Sequence, residues 1–215
     1  MTQINDTTPI SQSPNLPILK SLNLHPSALV AITGGGGKTA LLFALAEAWP
    51  GRVIITTTTR IFAAQMKLAP AVVQFTAEDA ESAERFEREM GKKLDEYGRI
   101  LIVGPVVGEK AHGVPPDLPA KLLTRKDVDL VLIEADGSRM RPIKAPAAHE
   151  PVIPPKTTHV IPVVGIDALD KPLAEVAHRP ELVAERLGYQ VSGIRHHQLS
   201  PKDVARLIVH AEGGM

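Results

Sequence analysis

A glycine cluster set between an aliphatic run and a helix-forming run constrains this chain more than any other feature. Ala28 to Thr33 reads Ala-Leu-Val-Ala-Ile-Thr, Gly34-Gly35-Gly36-Gly37-Lys38-Thr39 follows, and Ala40 to Trp49 is rich in strong helix formers. The order is strand, glycine loop, helix. Pro50 and Gly51 break the helix, and Arg52 to Thr57 supplies a second β-branched run that completes a βαβ unit. A glycine loop in that setting lets successive amides and a helix N-terminus converge on one anion, so a phosphate site is expected there.

Lysine and threonine supply what glycine cannot. Lys38 is expected to place its ammonium against β and γ phosphates, and the Thr39 hydroxyl to ligate Mg2+. The nucleotide is then ATP or GTP, held by Gly34, Gly35, Gly36, Gly37, Lys38 and Thr39. The usual loop has a further glycine five residues before Gly37, where Ile32 stands, so this is the shorter G-x-x-G-K-T form. That form resembles the loop of the Mur-type ATP-dependent ligases. A dinucleotide fold needs glycine at the place of Thr39 and an acid closing the second strand; Thr56 to Arg60 stands there instead.

Further along, a helix is expected over Ile61 to Leu68 and a strand over Val72 to Phe75. Thr76 with Asp79 forms a capping-box pair before a charged helix, Glu78 to Leu94, whose Ala80, Ala83, Phe86, Met90 and Leu94 share one face. Arg99 to Val103, Leu130 to Ile133 and Thr158 to Val164 read as strands. Pro180 to Leu187 and the stretch from Ser200-Pro201 to Val209 read as helices. The alternation predicts an α/β fold: a doubly wound, mainly parallel sheet flanked by helices, P-loop NTPase-like. With 44% apolar but only 3% aromatic residues, the core must be aliphatic, as parallel strands buried on both faces require. The 215 residues suit one such domain from 21 to 215, after a polar, mobile tail at 1–20.

Val128 to Asp136 is an aliphatic strand ending in two carboxylates, Glu134 and Asp136, which extended backbone projects to the same side. Both are expected at the sheet edge that carries the glycine loop, one holding Mg2+ through water and the other orienting a nucleophile; spacing alone leaves open which does which. Thr57, Thr58 and Arg60 end the second strand, where the hydroxyls would touch the metal shell or a phosphate and Arg60 would offset charge. Threonine's steric fit to strands accounts for them equally well. A Pro-rich loop at about 137–157 follows. In it Arg139 and Lys144 are candidates for binding a second anion or the transferring phosphoryl group, and His149 for proton transfer.

The charge balance narrows the partners. Lys plus Arg equals Asp plus Glu at 24 each, so no global field draws nucleic acid or an anionic membrane. The absence of cysteine excludes disulfides, thiolate zinc sites and covalent carriage of sulfur or selenium on this chain. No histidine spacing predicts zinc. With no signal-peptide pattern at the start and no apolar run long enough to span a bilayer, a cytoplasmic location is expected.

Taken together, Ile-Thr-Gly-Gly-Gly-Gly-Lys-Thr at 32–39, Thr-Thr-Thr-Thr-Arg at 56–60 and Glu-Ala-Asp-Gly-Ser-Arg at 134–139 resemble the YqeC-type accessory proteins associated with selenium-dependent molybdenum hydroxylases. Lys-Ala-Pro-Ala-Ala-His-Glu-Pro-Val-Ile-Pro at 144–154 and His-Arg-Pro-Glu at 178–181 extend the resemblance. It implies a role in maturing a selenium-containing molybdenum enzyme, with a selenium species or the molybdenum cofactor as second substrate and the apo-hydroxylase or another maturation protein as partner. It also implies a further strand, past the position of Gly213-Gly214-Met215, that helps hold the base. The expected activity is that of a Mg2+-dependent NTPase or NTP-using transferase. The alternatives are a nucleotide-switched docking module and a Mur-like ligase.

Overall fold

Aliphatic runs become strands here because their side chains alternate between two faces that are both covered. In the computed structural model, which describes residues 16–76 and 79–210, the chain opens with helix α1 (Leu16–Ser21), strand β1 (Ala28–Gly34), helix α2 (Lys38–Ala48) and strand β2 (Val53–Thr57). Then come β3 (Ile61–Phe62), a 3-10 turn (Ala63–Leu68), β4 (Val72–Gln74), α3 (Ala80–Tyr97) and β5 (Arg99–Val103). A hairpin of β6 (Val106–Val107) and β7 (Lys110–Ala111) leads to α4 (Leu118–Leu122) and β8 (Leu130–Glu134). The remainder holds β9 (Ile143–Lys144), β10 (His159–Val163), α5 (Leu173–Val176), β11 (Ala177–His178), α6 (Pro180–Leu187) and α7 (Pro201–Val209).

Six strands form one sheet in the order β10-β1-β8-β2-β5-β4, and every neighbouring pair is parallel. Side-chain parity divides its core in two. Ala28, Val30 and Ile32 of β1 join Val53 and Ile55 of β2 and Leu130 and Leu132 of β8 on the face covered by Leu42 and Leu45 of α2 and by Leu19 of α1. Leu29, Ala31, Ile54, Val131 and Ile133 lie on the other face, against Phe86, Met90 and Leu94 of α3 and Leu118 and Leu122 of α4. The fold is therefore α/β with a central parallel sheet between helices. Among the described residues no helix is long and apolar enough to cross a membrane.

A third cluster lies apart from these two. Ile143 and Ala145, Leu173 and Val176 of α5, Val183, Ala184 and Leu187 of α6, and Leu207 of α7 pack together as a C-terminal lobe. Its only sheet element among the described residues is the short parallel pair β9–β11.

Local differences from the sequence reading have physical reasons. The expected helix over 61–68 gives up its first two residues to β3, because Ile61 and Phe62 find a strand partner in β7; the rest is a 3-10 turn whose Gln65 carboxamide accepts from the Phe62 amide at 2.8 Å. Asp79, rather than Thr76, caps α3, accepting from the Ser82 amide at 2.8 Å while Ser82 Oγ accepts from the Asp79 amide at 3.1 Å. The expected start at Glu78 lies outside the described residues. The helix runs past Leu94 to Tyr97 and ends at Gly98, whose φ of 69° stops it. At the N-terminus, residues 16–20 of the expected tail belong to α1, where Leu19 is buried; residues 1–15 lie outside the described residues.

Candidate functional site

Parallel pairing brings the ends of three strands to one edge. Glu134 at the end of β8 is in register with Ile32 of β1 and with Thr57 of β2, so the glycine loop, the carboxylate strand and the threonine run meet there. Above that edge lies a cleft of about 1110 Å³, bounded by residues 35–39, 58–62 and 137–140 and by the turns at His149–Glu150 and His178–Arg179.

Within the glycine loop, most of the expected amide ring is engaged inside the protein. The Gly34 amide donates to Asp136 Oδ2 at 3.1 Å, that of Gly35 to the Val163 carbonyl at 2.7 Å, and that of Gly36 to the Pro142 carbonyl at 3.1 Å. A β-carbon on Gly35 would lie 2.0 Å from the Pro142 carbonyl oxygen, so glycine is required here by close backbone approach. Gly34–Gly36 thus form a docking seam, which corrects the expectation that their amides face a phosphate. What stays open to the cleft is the start of α2, entered through Gly37 in the left-handed conformation and capped by no side chain.

Lys38 is buried, its ammonium donating to the carbonyls of Gly34 at 2.8 Å and Gly35 at 3.0 Å. It folds back over the loop, 3.5 Å from Asp136 Oδ1. Thr39 points the other way: its hydroxyl donates to Glu134 Oε2 at 3.0 Å and accepts from Gln65 Nε2 at 2.8 Å. Burial raises the Glu134 pKa above the ordinary carboxylate value; the Lys38 charge and the Thr39 hydrogen bond oppose that shift, and the nearby Asp136 adds to it. A hydroxyl beside a carboxylate is a pair of hard oxygens suited to Mg2+, which takes few protein ligands and completes its shell with water and phosphate oxygens. Among the described residues no group of three His, Cys, Asp or Glu offers a full protein cage.

Glu134 and Asp136 were expected on one side, and they part instead. Asp136 is 2% exposed, lies outside the cleft lining, and sits between Lys38 and Lys144, whose Nζ is 3.2 Å from Oδ2. The reason is that β8 ends at Glu134, so strand alternation no longer governs Asp136. Lys144 is likewise corrected: it is 1% exposed and donates to the Gly137 carbonyl at 2.8 Å and to Glu150 Oε2 at 2.6 Å, leaving it no reach into the cleft. Glu150 in turn accepts both Arg179 nitrogens, at 2.8 and 3.2 Å. Burial alone would raise the Glu150 pKa, but hydrogen bonds from Arg179 and Lys144 and their charges outweigh it and hold the carboxyl at about 2. A file of alternating charge, Lys38–Asp136–Lys144–Glu150–Arg179, therefore ties the glycine loop to the C-terminal lobe.

The other candidates divide between cleft and scaffold. The Thr57 hydroxyl donates to the Glu134 carbonyl at 3.0 Å and that of Thr58 to the Val152 carbonyl at 2.7 Å, so both brace backbone; Thr58 still lines the cleft and Thr57 does not. Arg60, Arg139 and His149 are exposed and line it, with His149 Nε2 3.8 Å from Glu150 Oε1. Residue spacing missed Gln65, Glu150, His178 and Arg179 as parts of the site. Glu150 and Arg179 do fall within the His-Glu-Pro and His-Arg-Pro-Glu motifs quoted above, which was the available signal.

Comparison with known proteins agrees with the motifs at this edge. Residues 30–181, which include the glycine loop, the carboxylate strand and the Arg179 turn, match the model of the YqeC protein family. A relative in Escherichia coli (strain K12), described as "Uncharacterized protein YqeC", is 33% identical over 189 residues, covering 86% of this chain and 69% of its own length. No solved structure matches significantly. The family match spans most of the sheet and both ends of the buried charge file, and on that basis the chain belongs to the YqeC family.

Proposed function

We propose that this protein binds a nucleoside triphosphate, ATP or GTP, with Mg2+ at the start of α2, and acts in the cytoplasm as an NTPase or NTP-using transferase in maturation of a selenium-dependent molybdenum hydroxylase. One observation carries the nucleotide reading: the uncapped first turn of an eleven-residue helix opens on a large cleft beside the Thr39–Glu134 pair. Thr39 and Glu134 would hold Mg2+, which when bound neutralises charge on phosphate oxygens. Lys38 must swing from its loop carbonyls, and from Asp136 at 3.5 Å, to reach a phosphate. The maturation role rests on the sequence resemblance, with a selenium species or the molybdenum cofactor as second substrate.

A second reading has an observation of its own. Because Gly35 and Gly36 are hydrogen-bonded to Val163 and Pro142, any shift of the loop on nucleotide binding pulls on the segment that leads into the C-terminal lobe. A nucleotide-switched surface for the apo-hydroxylase or another maturation protein would use that linkage. Calorimetric titration of ATP, GTP and CTP, with and without Mg2+, tests the binding step common to both. Triphosphate bound as tightly by Lys38→Ala as by the parent would sink it. Steady-state phosphate release then separates enzyme from switch.

A further inference from the structure

The cleft is larger than the start of α2 requires, and its remaining wall is cationic. Five lysine and arginine side chains line it against two carboxylates, Glu134 and Glu150. Glu150 is already matched by Lys144 and Arg179. Since the whole chain carries equal numbers of acidic and basic residues, this excess is local. Two of the five, Arg139 and Arg179, lie near His178.

Three further observations single out that end. Arg139, Met140 and Arg179 all have left-handed backbone, with φ of 49°, 61° and 64°, a conformation that side chains disfavour and that is concentrated at functional positions. Arg139 is exposed and, among the described residues, forms no ion pair, whereas Arg179 is fixed by its two hydrogen bonds to Glu150. His178 lines the cleft with a buried Nδ1 that has no hydrogen-bond partner among the described residues. Its burial, with Arg179, Lys144 and Arg139 nearby, lowers its pKa against the opposing charge of Glu150.

We infer that this end of the cleft is a second anion subsite, taking a tetrahedral oxyanion between the Arg139 guanidinium and the His178 imidazole, with Arg179 held behind them by Glu150. The ligand is either a free inorganic oxyanion or the phosphate group of a phosphomonoester. A tetrahedral oxyanion suits the site better than a planar carboxylate, because it presents acceptor oxygens to Arg139 and the imidazole at once, while Arg179 already has its carboxylate partner. The inference deepens the proposed function by giving the second substrate a charge class. It rests on that reading only in taking the ligand for a second substrate.

The test is titration calorimetry of orthophosphate, and separately of ribose 5-phosphate, into the full chain without nucleotide. Arg139→Ala is expected to weaken oxyanion binding about tenfold, and Arg139→Glu to weaken it further, as loss and reversal of a charge-assisted contact require. Arg139 is exposed, so neither variant disturbs the core. Lys38→Ala should leave this affinity within about twofold while weakening the Mg2+-triphosphate titration, which tests the other site. Tighter binding of ribose 5-phosphate than of orthophosphate identifies an ester as ligand, and the reverse identifies a free oxyanion. Absence of millimolar binding by either probe, or binding indifferent to Arg139 and lost in Lys38→Ala, overturns the subsite. If triphosphate fails to bind while oxyanion binding still depends on Arg139, the nucleotide reading falls and the subsite stands.

Discussion

The sheet and the C-terminal lobe are both hydrophobic cores, yet they are held in place by different forces. In the sheet, alternate residues of β1, β2 and β8 enter opposite clusters, and burial of long aliphatic runs does the work. In the lobe, the strands β9 and β11 are two residues long and the helices α5, α6 and α7 have four, eight and nine. What fixes the lobe against the sheet is a set of specific links: the backbone bond from the glycine loop to Pro142, next to β9, and the buried charges from Lys38 to Arg179. Periodic burial sets a layer; discrete polar contacts set how a second body meets it.

The largest effect should separate the two cores. Leu132→Ala, at a fully buried position in β8, is expected to cost about 3 kcal/mol of global stability by leaving a cavity. Leu173→Ala empties an equally buried position in the lobe, where the loss should appear as faster amide exchange in residues 166–209 with the sheet amides still protected. Equal loss of protection in β1 and β8 for the Leu173 variant would make the two regions one cooperative unit and remove the distinction.

Comparable in size is the charge file. Glu150→Ala leaves the Lys144 ammonium, 1% exposed, with a single carboxylate neighbour, and a cost of about 3 kcal/mol is expected in urea unfolding. The pH dependence follows from the same group. Its folded pKa of about 2 is below the ordinary 4.5, so its stabilisation is complete above about 4.5 and is lost as pH falls toward about 2. Asp203, at the start of α7, also has a pKa of about 2: burial would raise it, but hydrogen bonds from Tyr189 and Ser200 outweigh that. Glu134 at the sheet edge has the opposite sign. Its raised pKa means that acid relieves a penalty there. Acidification should therefore release the lobe before the sheet, and Glu150→Gln should flatten the lobe's thermal shift over that window.

A smaller contrast lies within the carboxylate pair. Asp136→Asn removes the charge between two buried ammonium groups and should cost about 2 kcal/mol. Glu134→Gln should cost little stability, since burial already penalises that charge, but should weaken Mg2+-dependent triphosphate binding about tenfold. If the two variants behaved alike in both assays, the division of the pair into anchor and cleft ligand would fail.

That division marks where the sequence stopped being legible. Strand, glycine loop, helix and the aliphatic β8 could be read because period-two burial and loop chemistry are local. The parting of Asp136 from Glu134 could not, because it depends on the strand ending between them. Lys144 looked like a loop cation with access to solvent, but its segment pairs with Ala177–His178, more than thirty residues later, and that pairing buries it. The Gly34–Gly36 amides read as phosphate donors because nothing local reveals that Pro142 and Val163 come to meet them. Most legible features were set within one or two turns of chain, whereas the burial of Lys144 and the engagement of the loop amides needed a distant partner.

The mildest test sits at the start of α7. Ser200 caps that helix by accepting from the Asp203 amide at 3.2 Å, while its hydroxyl donates to Asp203 Oδ2 at 2.7 Å and its own amide donates to the same oxygen at 3.0 Å. Ser200→Ala removes the cap and one support of a carboxylate that also accepts from the Tyr189 hydroxyl. A loss of about 1 kcal/mol is expected, the usual value for a cap. Because α7 contributes Leu207 to the lobe cluster and nothing to the two sheet clusters, the loss should be confined to lobe amides. The Asp203 pKa should rise as the hydroxyl donor goes, moving the lobe's acid transition to higher pH while the sheet's transition stays where it was.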